Sequence, residues 1–260
     1  MAGPIADTPA RRLWIYTNFD CNLQCRYCVA MSGPRVERRL LAPGVFRRLV
    51  DEAVQTGVGE LFITGGEPFL LPDLAERLNY AAERLPTTVL SNAMLFSGRR
   101  LELLRRVSRT VSVQVSLDGG EAETHDAYRG AGSWERTVAG IRTLQALGFT
   151  VLIGSTETPA NRARLDRLAA FVGALGIPPE RHFVRPLAKR GFSQEGLELS
   201  AAELAPELTV SQDGVYWHPL ALDADLLLTR RIFPLAAAWE LLACRWRELR
   251  ATGALPRQFK

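Results

Sequence analysis

Apolar residues along this chain follow two alternating rhythms. Short runs rich in β-branched and aromatic residues, LWIYTNF (13–19), ELFITGG (60–66), TTVLSNA (87–93), TVSVQVSLDG (110–119), TVLIGST (150–156) and HFVRPLA (182–188), predict six strands. Between them, residues 43–57, 71–85, 97–107, 133–148 and 159–176 place apolar positions at helical spacing. Pro43 stands early in the first of these, and Gly57, Gly148 and Gly176 follow helical stretches. Proline fits a first helical turn and glycine the left-handed residue after a last one. Strand and helix alternating six times predict a parallel sheet with right-handed crossovers, and six units are too few to close an eight-stranded barrel. The expected fold class is α/β, a partial (β/α)6 TIM-like barrel over residues 13–191, preceded by a short segment, 1–12.

After residue 191 the rhythm changes. SAAE (200–203) pairs Ser200 with Glu203 as a capping box opening a short helix. LTVSQDGVYWH (208–218) predicts a hairpin with Asp213-Gly214 in its turn, and FPLAAAWELLACRWRELR (233–250) an amphipathic closing helix. Residues 192–260 are thus expected to form a small C-terminal hairpin-plus-helix extension.

Composition adds exclusions. Hydrophobic residues make up 47% and charged residues 23%, which suits a packed globular chain. The net charge of +4 comes from 32 basic and 28 acidic residues interspersed along helical faces. That pattern argues against a nucleic-acid stripe. No apolar run reaches membrane-spanning length, and MAGPIADTPARR at the start lacks a signal-like apolar core. A cytoplasmic protein without nucleic-acid or membrane partners is expected.

Polar residues and glycines collect where each predicted strand ends: Asp20 and Cys21, Thr64 to Glu67, Ser91 and Asn92, Ser116 and Asp118, Gly154 to Glu157, and Arg185. In barrel-like α/β folds that rim carries the chemistry. Three of the four cysteines, Cys21, Cys25 and Cys28, lie on the loop after the first strand with spacing C-x3-C-x2-C. Crowded thiols in a reducing compartment point to metal or cluster binding rather than disulfides. A structural zinc site would want a fourth ligand nearby, yet the first histidine is His125. Three thiolates suit three irons of a four-iron cluster whose fourth iron stays open.

CNLQCRYC (21–28) followed by GGEPFL (65–70) resembles the radical S-adenosylmethionine (radical SAM) enzymes. SLDGGEAETHDAYRGAGSWERTVAGIRTL (116–144) is similar to the branch with SPASM or twitch extensions, which includes peptide maturases and cofactor-biosynthesis enzymes. The resemblance implies one 4Fe-4S cluster held by Cys21, Cys25 and Cys28, with S-adenosylmethionine on the open iron. It also implies an external one-electron donor of flavodoxin or ferredoxin type, and hydrogen abstraction from a peptide or small-molecule precursor. Carried over by position, it gives Gly65 and Gly66 for close backbone approach to the cofactor, and Glu67 as acceptor for its ammonium group. Tyr27 falls beside the adenine, Ser116 and Asp118 near the ribose hydroxyls or carboxylate, and Arg129 opposite that carboxylate. Asn92 is a cofactor or substrate contact. Gly154 and Glu157 match part of a fifth-strand adenine motif, from which Thr150 and Leu152 depart.

The extension resembles a SPASM or twitch domain without its auxiliary-cluster cysteines, since His218, Pro219 and Leu220 stand where one would be expected and only Cys244 remains downstream. Without such clusters a redox-neutral outcome, or radical addition followed by reduction, is favoured over oxidative cross-linking. Cys244 reads as a small core residue, or as a hydrogen-atom donor. His125, His182 and His218 read as structural, with a substrate contact as the alternative for His218. Trp217, Trp239 and Trp246 are expected to pack the hairpin against the last helix. A reading from a different class makes the chain a non-catalytic iron–sulfur or zinc module that recruits a partner.

Overall fold

The computed structural model describes residues 11–253, so the predicted N-terminal segment lies almost wholly outside the described residues. Six strands, β1 (Arg12–Tyr16), β2 (Glu60–Thr64), β3 (Thr87–Ser91), β4 (Ser112–Ser116), β5 (Thr150–Glu157) and β6 (His182–Pro186), run parallel in sequence order. Five helices match predicted segments: α1 (Pro43–Thr56), α2 (Leu74–Ala82), α3 (Gly98–Arg105), α5 (Ser133–Ala146) and α6 (Leu165–Ala174). In α1 the buried residues are Phe46, Leu49, Val50 and Ala53, one stripe at i, i+3, i+4 and i+7. Gly57 ends the helix in the left-handed region at φ 82.

Side chains alternate across the sheet with period two. One set, including Leu13, Ile15, Leu61, Ile63, Val89, Val113 and Ile153, is fully buried in the main apolar core with the helices. Each such side chain contributes about 1.5–3 kcal/mol of burial free energy. The other set, including Trp14, Phe62, Gln114, Leu152 and Phe183, borders an inner lumen. The sheet remains a partial barrel: its outer strands are β6 at one end and a C-terminal strand at the other.

The structure differs from expectation in three places. Ala122–Arg129 forms an additional helix, α4, whose buried face consists of Thr124, His125, Tyr128 and Arg129. With a mostly polar buried face it has no apolar periodicity to announce it. The short helix at 200–203 is a single 3-10 turn, although Glu203 does reach back to the Ser200 N–H at 2.9 Å. The C-terminal hairpin continues the main sheet: β7 (Leu208–Ser211) pairs in parallel with β1, followed by antiparallel β8 (Gly214–Tyr216) and β9 (Leu227–Thr229). Its turn is Gln212-Asp213, because Gly214 already pairs with Ser211.

α7 (Leu235–Ala251) packs beside α1, where the Leu235 N–H donates to Glu52 at 2.5 Å. Trp217 and Trp239 are fully buried and Trp246 packs against the same core, as expected. Cys244 is a correction: it is exposed on α7, its thiol 3.6 Å from Glu248, and it does not border the lumen. Its neighbours Ala243 and Leu242 take the buried positions instead. Among the described residues no helix is long and apolar enough to cross a membrane.

Candidate active site

The lumen is a cavity of about 420 Å3, and Cys21, Cys25 and Cys28 all border it. Their loop is fixed by backbone bonds within itself, Cys28 N–H to Cys25 O at 3.1 Å and Cys21 N–H to Gly33 O at 3.3 Å, and by one to α4, Arg26 N–H to Tyr128 O at 2.9 Å. Three donors already approach two of the sulfurs. The Leu23 N–H lies 3.4 Å from Cys21 Sγ, the Ser32 N–H 3.4 Å from Cys28 Sγ, and Asn92 Nδ2 3.9 Å from Cys21 Sγ. Donors aimed at sulfur suit thiolates bound to iron and tune a cluster's potential. Burial pushes the Cys21 thiol up to about 12, with Glu67 adding to the effect, and the Cys25 thiol up to about 11. In the protein alone both stay protonated, and a bound metal must displace those protons. The donor set therefore fits a cluster held by three thiolates.

The glycine pair is required by a close backbone approach. A Cβ on Gly65 would lie 2.3 Å from Asn18 O, and one on Gly66 only 2.1 Å from Asp20 O. The backbones meet because Gly66 and Glu67 donate their N–H groups to Asn18 O and Asp20 O, both at 2.8 Å. The turn after β2 is thereby zipped to the start of the cysteine loop, while both glycines also border the cavity. The space a Cβ would need at either glycine is taken by the neighbouring loop, whatever ligand the cavity holds.

Glu67 is likewise a correction. Its side chain is 1% exposed and does not border the cavity. Oε1 accepts from the Phe69 N–H and the Ser91 hydroxyl, each at 3.0 Å, and Oε2 from the Asn92 N–H at 2.8 Å. Burial pushes its pKa up to about 7, against the pull of those three donors. A carboxyl so engaged braces the exits of β2 and β3 rather than waiting for an ammonium group. Glu67→Ala is expected to destabilise the fold by about 2–4 kcal/mol, since buried N–H groups lose their acceptor. Urea unfolding measures this, and a loss below about 0.5 kcal/mol would restore the ligand reading.

Asp118 departs from expectation in the same way. It is fully buried behind the cavity wall, where Oδ2 accepts from the Tyr27 hydroxyl and from Arg129 Nε at 2.6 Å, and Oδ1 from the Thr156 N–H at 2.8 Å. Although burial opposes it, the Arg129 guanidinium and these donors hold the Asp118 carboxyl below the usual aspartate range. His125 Nδ1 accepts the Asp118 N–H at 3.1 Å, and burial lowers its pKa to about 4, so the ring is neutral. Tyr27, packed against Tyr128 with ring centroids 5.9 Å apart, is thus anchored from the cysteine loop to β4 while its ring borders the cavity.

Ser116, Arg129, Asn92 and Gly154 border the cavity. The Ser116 hydroxyl makes no hydrogen bond with a described residue and is available to a ligand. Asn92 is largely committed to the cysteine loop, donating to Asn22 Oδ1 at 2.8 Å. A Cβ on Gly154 would sit 2.6 Å from Gln114 Nε2 and 3.2 Å from an Arg185 nitrogen, so this glycine makes room for two polar side chains. Glu157 does not border the cavity; side chains alternate along β5, so Leu152, Gly154 and Thr156 face the lumen while Glu157 pairs with Arg162 at 2.6 Å. His182 is bonded to Ser155 at 2.9 Å and matches the structural reading. Arg185 and His218 border the cavity as well, the position that the substrate-contact alternative for His218 requires, whereas Arg185 had no ligand role assigned to it. Arg185 stood at the strand-end rim, which was the one signal available for it.

An open parallel barrel that gathers three thiols, two glycines and a free serine hydroxyl around the carboxyl ends of its strands is an α/β-barrel ligand site. The Radical SAM superfamily profile matches residues 15–169, and the chain belongs to that superfamily. It is 32% identical over 203 residues to an AdoMet-dependent heme synthase of Methanosarcina barkeri, covering 76% of this chain and 57% of that protein. It is 34% identical over 184 residues to the mycofactocin maturase MftC of Mycobacterium tuberculosis, covering 69% and 46%. The chain thus spans about half the length of the curated relatives it matches. The fold resembles Streptococcus suis SuiB, solved bound to S-adenosylmethionine, with a TM-score of 0.62 at 22% identity over 74% of this chain and 44% of that one. SuiB has also been solved bound to its precursor peptide SuiA.

Proposed function

We propose that residues 13–191 are the core of a radical SAM enzyme, extended by 192–260, and that Cys21, Cys25 and Cys28 hold a 4Fe-4S cluster with one iron left to S-adenosylmethionine. When bound, cluster and cofactor together supply a one-electron cleavage of the sulfonium that yields the 5′-deoxyadenosyl radical for hydrogen abstraction. The observation that carries this reading is the convergence of all three thiols with Gly65, Gly66 and Ser116 on one cavity.

The chain's own residues then divide the work. Asn92 and the Leu23 and Ser32 amides orient the sulfurs. The Ser116 hydroxyl is free for a ribose contact, and Arg129 presents its guanidinium, held through Nε by Asp118, to a carboxylate. Trp14, Phe62, Leu152 and Phe183 give the lumen apolar walls that exclude water from a reactive species. A peptide substrate is supported by the maturase and SuiB likenesses, and a small-molecule precursor by the heme synthase likeness. Cys244 is the one cysteine among residues 192–260, so no auxiliary cluster is assigned within these residues. The electron donor is read as a flavodoxin or ferredoxin and the location as cytoplasmic.

Anaerobic reconstitution tests this. The protein is expected to take up about four irons and, with dithionite and S-adenosylmethionine, to release 5′-deoxyadenosine. One tightly bound zinc and no nucleoside would establish the partner-recruiting module instead.

A further inference from the structure

The lumen holds three guanidinium groups, and two of them are compensated. Arg12 lies 3.5 Å from Glu60 and 3.7 Å from Glu207, and Arg129 is paired with Asp118. Arg185, half-buried on β6 and facing the lumen, makes no hydrogen bond or ion pair with any described residue. Burial lowers its pKa, although Tyr27, Asp118 and Tyr16 oppose this from a distance. A half-buried cation with no carboxylate at ion-pair distance, Glu207 in the same lumen acting on it only from further off, leaves its counter-charge to be supplied by a ligand.

His218 carries a second, independent sign. It is 2% exposed and borders the same cavity, and its Nε2 is buried without a hydrogen-bond partner. The Leu220 N–H donates to Nδ1 at 3.0 Å, which fixes the neutral tautomer with its proton on Nε2. Burial, with Arg185 and Arg190 nearby, lowers its pKa to about 3, so the ring remains a neutral donor. The ring is held in place, since the Tyr16 hydroxyl on β1 donates to Pro219 O at 2.8 Å. β7 beside β1 ties the whole hairpin to the barrel.

We propose that Arg185 and His218 form a receptor for a carboxylate group on the second substrate, the molecule that shares the lumen with the cofactor. The guanidinium offers a planar pair of donors and the imidazole a third, matching the acceptor positions of one carboxylate. The inference rests on the enzymatic reading above for its substrate, but not for its geometry. It also gives the C-terminal extension a role in recognition, because its hairpin brings a substrate-binding donor to the barrel wall.

The test uses the iron-loaded protein with S-adenosylmethionine present, and a matched pair of probes, benzoate and benzamide, titrated by calorimetry. Benzoate is expected to bind about tenfold or more tightly than benzamide, as charge-assisted bonds to a half-buried guanidinium outweigh neutral ones. Arg185→Gln should erase the preference. Arg185→Lys, which keeps the charge and loses the fork, should retain part of it, and His218→Gln should reduce it about threefold or more. Equal binding of the two probes to the unaltered protein overturns the proposal. So does a fall in S-adenosylmethionine affinity in Arg185→Gln as large as the fall for benzoate, which would assign Arg185 to the cofactor. Nucleoside release is scored separately: a protein that prefers benzoate but makes no 5′-deoxyadenosine keeps the receptor and loses the enzymatic reading.

Discussion

Cys25→Ala is expected to abolish cluster assembly and 5′-deoxyadenosine release together. Cys25 is the middle of three thiols on one loop, and a cluster stripped of one of three protein ligands has no nearby replacement: Cys244, the remaining cysteine, is exposed on α7. Iron content should fall from about four to below about one per chain, read by iron assay and visible absorption. The fold should survive, because the β1 core residues Leu13 and Ile15 are packed independently of the loop. Cys244→Ala is the control and should leave both readouts unchanged. Full iron uptake by Cys25→Ala would show that the three thiols do not act as one ligand set.

Asp118→Ala should have the largest effect on stability. The substitution leaves Arg129, 8% exposed, as an uncompensated buried cation, and strips the acceptor from the Tyr27 hydroxyl and the Thr156 N–H. Breaking a buried pair from one side typically costs about 3–5 kcal/mol. Adding Arg129→Met should recover part of that, since the orphaned charge is then gone. Urea unfolding of the single and double variants measures both, and a single-variant loss under about 1 kcal/mol would refute the bracing role. The pH dependence has a definite sign. The folded carboxyl sits below its ordinary value of 3.8, so its contribution is complete above that pH and is lost as pH falls through the lower, folded value. Between pH 5 and 7 this pair should add no slope to the stability curve.

The same network shows why a sequence motif and a contact are different things. Cys21, Cys25 and Cys28 were legible because ligand type and spacing are local, and part of the loop that carries them closes on its own backbone. Glu67 and Asp118 were legible as positions that matter, yet their roles depend on which donors meet them. Ser91 and Asn92 are contributed by the next strand, and Tyr27, Arg129 and Thr156 by three separate segments. A carboxylate has few acceptor sites, and once neighbours fill them it is a brace.

Taken alone, the amino-acid order determined the six strands and the five helices between them, the parallel sheet, the cysteine loop after β1 and the rim on which chemistry gathers. Period-two and helical apolar spacing act within a few residues, so these features need no partner to be read. Only the tertiary structure decided that the C-terminal hairpin joins β1, that α4 exists despite a polar buried face, and that Arg185 and His218 share one lumen. Those outcomes rest on contacts between segments distant in the chain, where the competition among burial, hydrogen bonding and charge is settled by packing rather than by local preference.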